Sequence, residues 1–350
     1  MMARRWQSRG VIGQWRIGRR VSGLVITASA AMLASAAVPG AVHAQPHALV
    51  ISGLGGEPRF SARFRQLGGG LAGALHSRFG VPDGHVAWLG EDSTSSDPRY
   101  RGRSTKIAIE REMNAIRTRV KPGDQVAVFL IGHGAGSESE SRISLPGPDM
   151  TVLDLQRLVG AFTEQRVAIV NLTSASGDML ALLAAPGRVV ITATKTAYER
   201  NESRFAEHFV AAFVQDVADT DKDSRVSLLE AFTYAARETK RVYEDGTKLQ
   251  TEHSQLDDNG TRQGTAAPTG REGQGMLARR YFFDARAAAA VGDVRLNGLY
   301  LEKFALEEQV DSLRMKKKGM AAAAYDADLE QVLVALSRKS REIRQAEGRP

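Results

Sequence analysis

The sequence predicts an α/β domain built on a mainly parallel sheet with helices on both faces. Three observations predict it. Short apolar runs at Ala48–Ser52, Val86–Leu89, Val126–Ile131, Val167–Val170 and Arg188–Ala193 alternate with segments whose apolar residues recur every three or four positions. Runs without polar alternation are how strands buried on both faces of a parallel sheet read. Glycines and small hydroxyl residues follow several of the runs at their carboxyl ends, where open α/β sheets gather their working groups. With 350 residues and 43% hydrophobic content, the chain can bury one large core and carry an appendage.

The net charge of +7 invites a nucleic-acid reading, but its placement argues against one. Residues 1–44 hold six arginines and no acid, which leaves +1 for the rest of the chain. An uncharged, alanine-rich stretch, Val21–Val38, follows those arginines, and then come Pro39-Gly40 and Val42-His43-Ala44. Basic region, apolar region and small residues in that order predict a secretory signal cut after Ala44, and so an exported, periplasmic or extracellular protein. An N-terminal membrane anchor is the alternative, since the run is near the minimum for a span. The sequence offers no further membrane-spanning candidate. The chain has no cysteine, which excludes disulfides, thiolate metal sites and cysteine nucleophiles.

Taken in order, Ala48–Ser52 ends in Gly53-Leu54-Gly55-Gly56, a strand and its exit turn. Pro58 stands where a dinucleotide fingerprint needs its third glycine, so that reading fails. Phe60, Phe64, Leu67, Leu71 and Leu75 mark a helix over 60–79, in which His76 reads as structural. Ser93–Ser104 reads as a polar loop. Ile109, Met113, Ile116 and Val120 mark a helix that stops before Pro122-Gly123. Past the strand Val126–Ile131 comes Gly132-His133-Gly134. After the next strand comes Asn171-Leu172-Thr173-Ser174-Ala175-Ser176-Gly177. Helices over 153–162, 179–183 and 205–217 fill the remaining alternation.

The order of these parts resembles the caspase-like fold, in particular the legumain and GPI-transamidase branch of cysteine peptidases. The resemblance covers roughly Pro46–Glu244. It rests on the strand with Gly-His-Gly at Phe129–Gly134, the small-residue loop ending Ser176-Gly177, and Val189–Thr194 followed by Glu202-Ser203. It implies a three-layer sandwich in which His133 is the general base. It also implies that Gly134 N–H and the nucleophile's own amide face a substrate carbonyl as an oxyanion hole. Specificity loops would fall near Ile143–Asp149 and Lys195–Ser203. The family's nucleophile is a cysteine in a loop reading approximately Asp-Ala-Cys-x-Ser-Gly. Aligning on Ser176-Gly177 puts Ser174 at that place; aligning on the strand, with Asn171 for the aspartate, puts Thr173 there. Either way a hydroxyl replaces the thiol, and a hydroxyl needs its base aligned throughout the attack. No acid obviously orients His133, and the Gly-x-Ser-x-Gly turn of α/β-hydrolases is absent. Two readings stay open: a non-proteolytic homologue acting in assembly or interaction with a protein or peptide, and a Ser/Thr hydrolase using Ser174 or Thr173 with His133.

Asp219-Thr220-Asp221-Lys222-Asp223-Ser224-Arg225-Val226-Ser227-Leu228-Leu229-Glu230 follows the pattern of an EF-hand loop. Carboxylates stand at positions 1, 3 and 5, the Arg225 carbonyl at 7, Ser227 at 9 and Glu230 at 12. Hard oxygens so spaced point to a structural calcium ion. Ser224 departs from the pattern where glycine is usual, and an acidic capped loop between two helices is the plainer alternative. Asp257-Asp258-Asn259-Gly260 reads as a solvated turn. Residues 246–275 are polar and glycine-rich and read as a linker.

Within 276–347, Leu296, Leu299, Lys303, Leu306, Val310 and Leu313, and then Tyr325, Leu329, Val332, Leu336 and Ile343, alternate spacings of three and four. That is a coiled-coil-like pattern, expected to form a hairpin or one interrupted helix and to serve packing or self-association. The basic run Arg314–Gly319 reads as a solvated turn rather than a nucleic-acid site.

Overall fold

The computed structural model describes residues 44–220, 225–270, 272–286 and 293–348. Apart from Ala44, the expected signal segment lies outside them. The apolar runs become the strands β1 (Pro46–Ser52), β2 (Val86–Gly90), β4 (Gln125–Ile131), β8 (Arg166–Asn171) and β9 (Arg188–Thr192). With β3 (Tyr100–Arg103) and β10 (Gln255–Asp257) they form a seven-stranded sheet in the order β10-β9-β8-β4-β1-β2-β3. All neighbours are parallel except β10, which runs antiparallel to β9.

Side chains of successive residues go to opposite faces, and both faces are covered. Ala48 and Val50 of β1 and Ala127, Phe129 and Ile131 of β4 join one core; Leu49, Ile51, Val126, Val128 and Leu130 join the other. The first core is closed by α1 (Pro58–Ser77), α5 (Phe205–Val214) and α6 (Leu228–Asp245). The second is closed by α2 (Lys106–Arg119), α3 (Val152–Val159) and α4 (Met179–Leu183). The fold is therefore a three-layer α/β sandwich. Helix α1 comes especially close to the sheet at Gly68, where a Cβ would lie 2.2 Å from Ser52 Oγ and 2.7 Å from Trp88 Nε1.

The chain builds outward from β1 through β2 to β3, then returns to lay β4 on β1's other side. That reversal makes the β1–β4 boundary the topological switch point, where such sheets open a crevice at their carboxyl ends. The pairings Ser52↔Ile131, Leu130↔Asn171 and Asn171↔Thr192 keep the strand tips level there. Past β4, the short strands β5 (Gly134–Ala135), β6 (Arg142–Ile143) and β7 (Met150–Thr151) form a separate antiparallel sheet.

Two expectations are corrected. Residues 246–275 are not simply a linker, because β10 within them extends the main sheet and buries Leu256. Asp257 and Asp258 are buried rather than solvated. Asp258 accepts the amides of Gly275, Leu277 and Ala278 at 2.7–2.9 Å, and Asp257 accepts that of Gly260 at 2.8 Å. Carboxylates that gather backbone donors in this way order a loop that has little apolar surface to bury.

Helices α7 (Val294–Lys316) and α8 (Ala322–Ala346) form an antiparallel hairpin: Tyr300 OH bonds Glu347, and Lys339 Nζ lies 2.6 Å from Glu302. Tyr325, Leu336 and Ile343 are the buried apolar positions of α8. The hairpin meets the rest of the chain through Arg225, whose Nη2 is 2.5 Å from Glu307 Oε1 and whose guanidinium lies 3.9 Å above the Phe282 ring. Among the described residues no helix is long and apolar enough to cross a membrane.

At the start of β1, His47 is 2% exposed and stacks on His85, with centroids 4.0 Å apart. Both Nδ1 atoms are buried and find no hydrogen-bond partner among the described residues, and Asp124 Oδ2 lies 3.8 Å from His47 Nε2. Burial, then the neighbouring His85, push His47 down to about 4, with Asp124 opposing and Arg119 adding to the fall. The folded state therefore holds a neutral ring where the unfolded chain takes a proton. Stability is full above pH about 6.5, and about 3 kcal/mol is lost as pH falls toward 4. Urea midpoints at pH 7 and 4.5 should show this loss, and His47→Gln should flatten it; an unchanged slope in the variant would contradict the assignment.

Candidate functional site

The crevice is made by three strand exits. Gly53 N–H donates to Ile131 O (2.8 Å), Leu54 N–H to Ser144 O (2.9 Å) and Ser144 N–H to His133 O (3.0 Å). These bonds fix the backbone that carries His133. The imidazole packs edge-on against Phe60 and Phe64 of α1, with centroids 4.7 and 5.0 Å away. That burial pushes His133 below its ordinary value, against the Gly55 carbonyl and the Glu57 charge, which both favour the protonated ring. At neutral pH the ring is therefore uncharged, the form a general base requires.

The alcohol side chains of the β8 exit divide into different roles. Thr173, fully buried, donates its hydroxyl and its amide to Asn171 Oδ1 at 2.7 and 3.1 Å, a side-chain-closed turn. Ser176 Oγ accepts the amides of Ala193 and Thr194 at 3.1 and 3.2 Å and so ties this loop to the β9 exit. Ser174 is the one of the three whose hydroxyl bonds to the His133 strand: its Oγ accepts Gly134 N–H at 3.3 Å. Ser174 is 3% exposed, and Ala175 after it adopts a φ of 53°, which turns the chain sharply. Asp178 then holds the rim together by accepting the amides of Glu138 and Ala197 at 3.3 and 3.1 Å.

His133, Gly134, Thr173 and Ser174 are thus brought to neighbouring strand tips, and of the two candidate hydroxyls it is Ser174's that accepts Gly134 N–H. No hydrogen bond joins the imidazole to any of the three hydroxyls among the described residues. The gap between the tips is set by Gly134, where a Cβ would lie 2.2 Å from Ser174 O and 2.9 Å from Thr173 Oγ1.

No protein-family model matches this chain, and no curated protein matches its sequence. Solved structures that resemble it include a caspase. The initiator caspase Dronc of Drosophila aligns with a TM-score of 0.39 and 9% identity, over 63% of this chain and 81% of the caspase.

The acidic loop is a separate site beyond α5. Asp221 and Asp223 lie outside the described residues; Asp219, Arg225, Ser227 and Glu230 lie within them. Glu230 closes the loop on itself: Oε1 accepts the amide and hydroxyl of Thr220 at 2.9 and 2.8 Å, and Oε2 accepts those of Ser227 at 2.9 Å each. Ser227 in turn accepts Glu230 N–H at 3.1 Å, which is the capping box of α6. The donor set of carboxylates and a carbonyl suits a hard cation. Glu230 would have to give up hydrogen bonds to coordinate one.

Sequence spacing assigns Phe60 and Phe64 to a helix face but carries no sign that they also wedge His133. The Glu91 carboxylate, which accepts Gly55 N–H at 3.2 Å and so steadies the turn against the imidazole, has no local motif to mark it.

Gly134→Ala should force the two tips apart and destabilise the fold by about 1–3 kcal/mol. Urea denaturation checks this, and an unchanged midpoint would mean the approach is looser than described.

Proposed function

We propose that this chain is an exported caspase-like domain that binds a protein or peptide partner without cleaving it. The calcium loop 219–230 braces α6, and the α7–α8 hairpin serves assembly. One observation carries the non-proteolytic reading. Gly134 N–H, which the resemblance assigns to a substrate carbonyl, is engaged by the Ser174 hydroxyl, while the imidazole is packed on phenylalanine rings without a bond to that hydroxyl. The donor needed for charge stabilisation and the oxygen needed for attack thus occupy each other. A displaced thiol cannot make up the difference, since none exists in the chain.

The competing reading, a serine hydrolase, draws on the neutral His133 one residue from the amide that Ser174 engages. A hydroxyl-directed fluorophosphonate probe separates the two. The proposal expects no labelling of the purified chain; labelling lost in both Ser174→Ala and His133→Ala would overturn it.

Calcium is supported by the spacing of Asp219, Asp221, Asp223 and Glu230 and by the way Glu230 gathers both ends of the loop. Calorimetry with calcium should give heat and a raised melting temperature, both greatly reduced in Glu230→Gln. If the wild-type protein shows neither response, the calcium assignment fails and the loop is an ordinary helix cap.

A further inference from the structure

Beside the His133 crevice lies a cavity of about 210 Å³ at the carboxyl ends of β1 and β2, walled by Tyr100 at the start of β3. Phe64, whose ring packs on His133, is also in its wall. Its polar floor is Ser52, whose hydroxyl accepts Trp88 Nε1–H (3.2 Å) and donates to Phe64 O (2.9 Å). Trp88 and Tyr100 meet edge-to-face at 5.0 Å in its lining. Glu91, Asp92 and the hydroxyls of Thr94–Ser96 complete it. Tyr100 OH donates to Asp92 O at 2.5 Å, so the loop over the cavity is held in place.

The charges in this lining do not cancel. Arg65, its one cation, is paired with Asp92. Glu91 spends Oε2 on Gly55 N–H, and among the described residues no protein donor reaches its Oε1. A ligand entering here meets a carboxylate oxygen that no protein donor reaches among the described residues, aromatic rings and a row of hydroxyls; the nearby Arg103 spends its Nε–H on the Glu91 backbone carbonyl at 3.1 Å. Two carboxylates oppose an anion. A wholly apolar ligand would strand the hydroxyls. The volume is below the usual range for drug-sized ligands, roughly 300–1,000 Å³, and suits a single side-chain head. Carboxylate with aromatic walls is the chemistry that holds an ammonium or guanidinium group.

We propose that this cavity binds the cationic head of a lysine- or arginine-like group, presented by a peptide side chain or by a free alkylamine. The site is independent of whether Ser174 can be acylated: fluorophosphonate labelling reads Ser174, whereas cation binding reads Trp88. Of the chain's three tryptophans, Trp6 and Trp15 lie in the expected signal segment, so with that segment removed, or with both changed to phenylalanine, the cavity's own Trp88 is the sole emitter.

The test titrates that chain with N-acetyl-lysine methylamide, N-acetyl-arginine methylamide, putrescine and the neutral N-acetyl-norleucine methylamide, following Trp88 emission and melting temperature. The cations should perturb emission and raise the melting temperature, and the neutral analogue should not. Glu91→Gln keeps an acceptor for Gly55 and should weaken binding about tenfold. Ser95→Lys, on the exposed loop, should weaken it too without touching the core. Response to the amino-acid derivatives but not putrescine assigns the cation to a peptide, and the reverse assigns it to a free amine. No response to any cation by either readout, equal response to norleucine, or full binding in both variants would overturn the proposal.

Discussion

There is no room for a side chain at Gly134, and most of the candidate site follows from that. The β4 and β8 tips approach until the space for a Cβ is taken by the Ser174 carbonyl and the Thr173 hydroxyl. At that separation Gly134 N–H finds Ser174 Oγ, and His133 is left on the far side of its own glycine against Phe60 and Phe64. Strand ends that nearly coincide make the approach possible, since Ser52 pairs with Ile131 and Asn171 with Leu130 one residue earlier. The switch between β1 and β4 opens the crevice above them.

Chemistry at such a site depends on which groups remain uncommitted. Thr173 and Ser176 have hydroxyls locked into turns and interstrand ties, and Asp178 clamps the rim loops. A crevice whose polar groups satisfy one another is preorganised for shape, and offers little unspent hydrogen-bonding capacity for a developing oxyanion. That contrast separates it from the cavity by Trp88, where the lining leaves a carboxylate oxygen open to a ligand. The two lie on either side of Phe64, so an extended segment crossing the sheet's carboxyl edge would pass both.

The sheet was largely legible because its strands are buried on both faces. Val126–Ile131 and Val167–Val170 are apolar without interruption, and the structure sends alternate residues to two cores. β3 was not legible: Tyr-Arg-Gly-Arg has no apolar run, and it forms because the neighbouring β2 edge offers backbone partners. β10 was hidden for a related reason, since its place depends on Asp258 collecting the amides of Gly275, Leu277 and Ala278, distant in sequence. In the site, His133 and the hydroxyl row stood out by position and composition. That Ser174, and not Thr173, meets Gly134 N–H did not stand out, because it turns on the Asn171-closed turn and on Ala175 at positive φ, features of backbone geometry rather than residue type.

The most direct measurement is hydrogen exchange at the Gly134 amide. If Ser174 Oγ holds that amide, exchange should be slow in the wild-type chain and about tenfold faster in Ser174→Ala, the equivalent of one lost hydrogen bond. Equal rates in the two proteins would mean the amide is free to meet a substrate carbonyl, and the account of a self-satisfied crevice would be wrong.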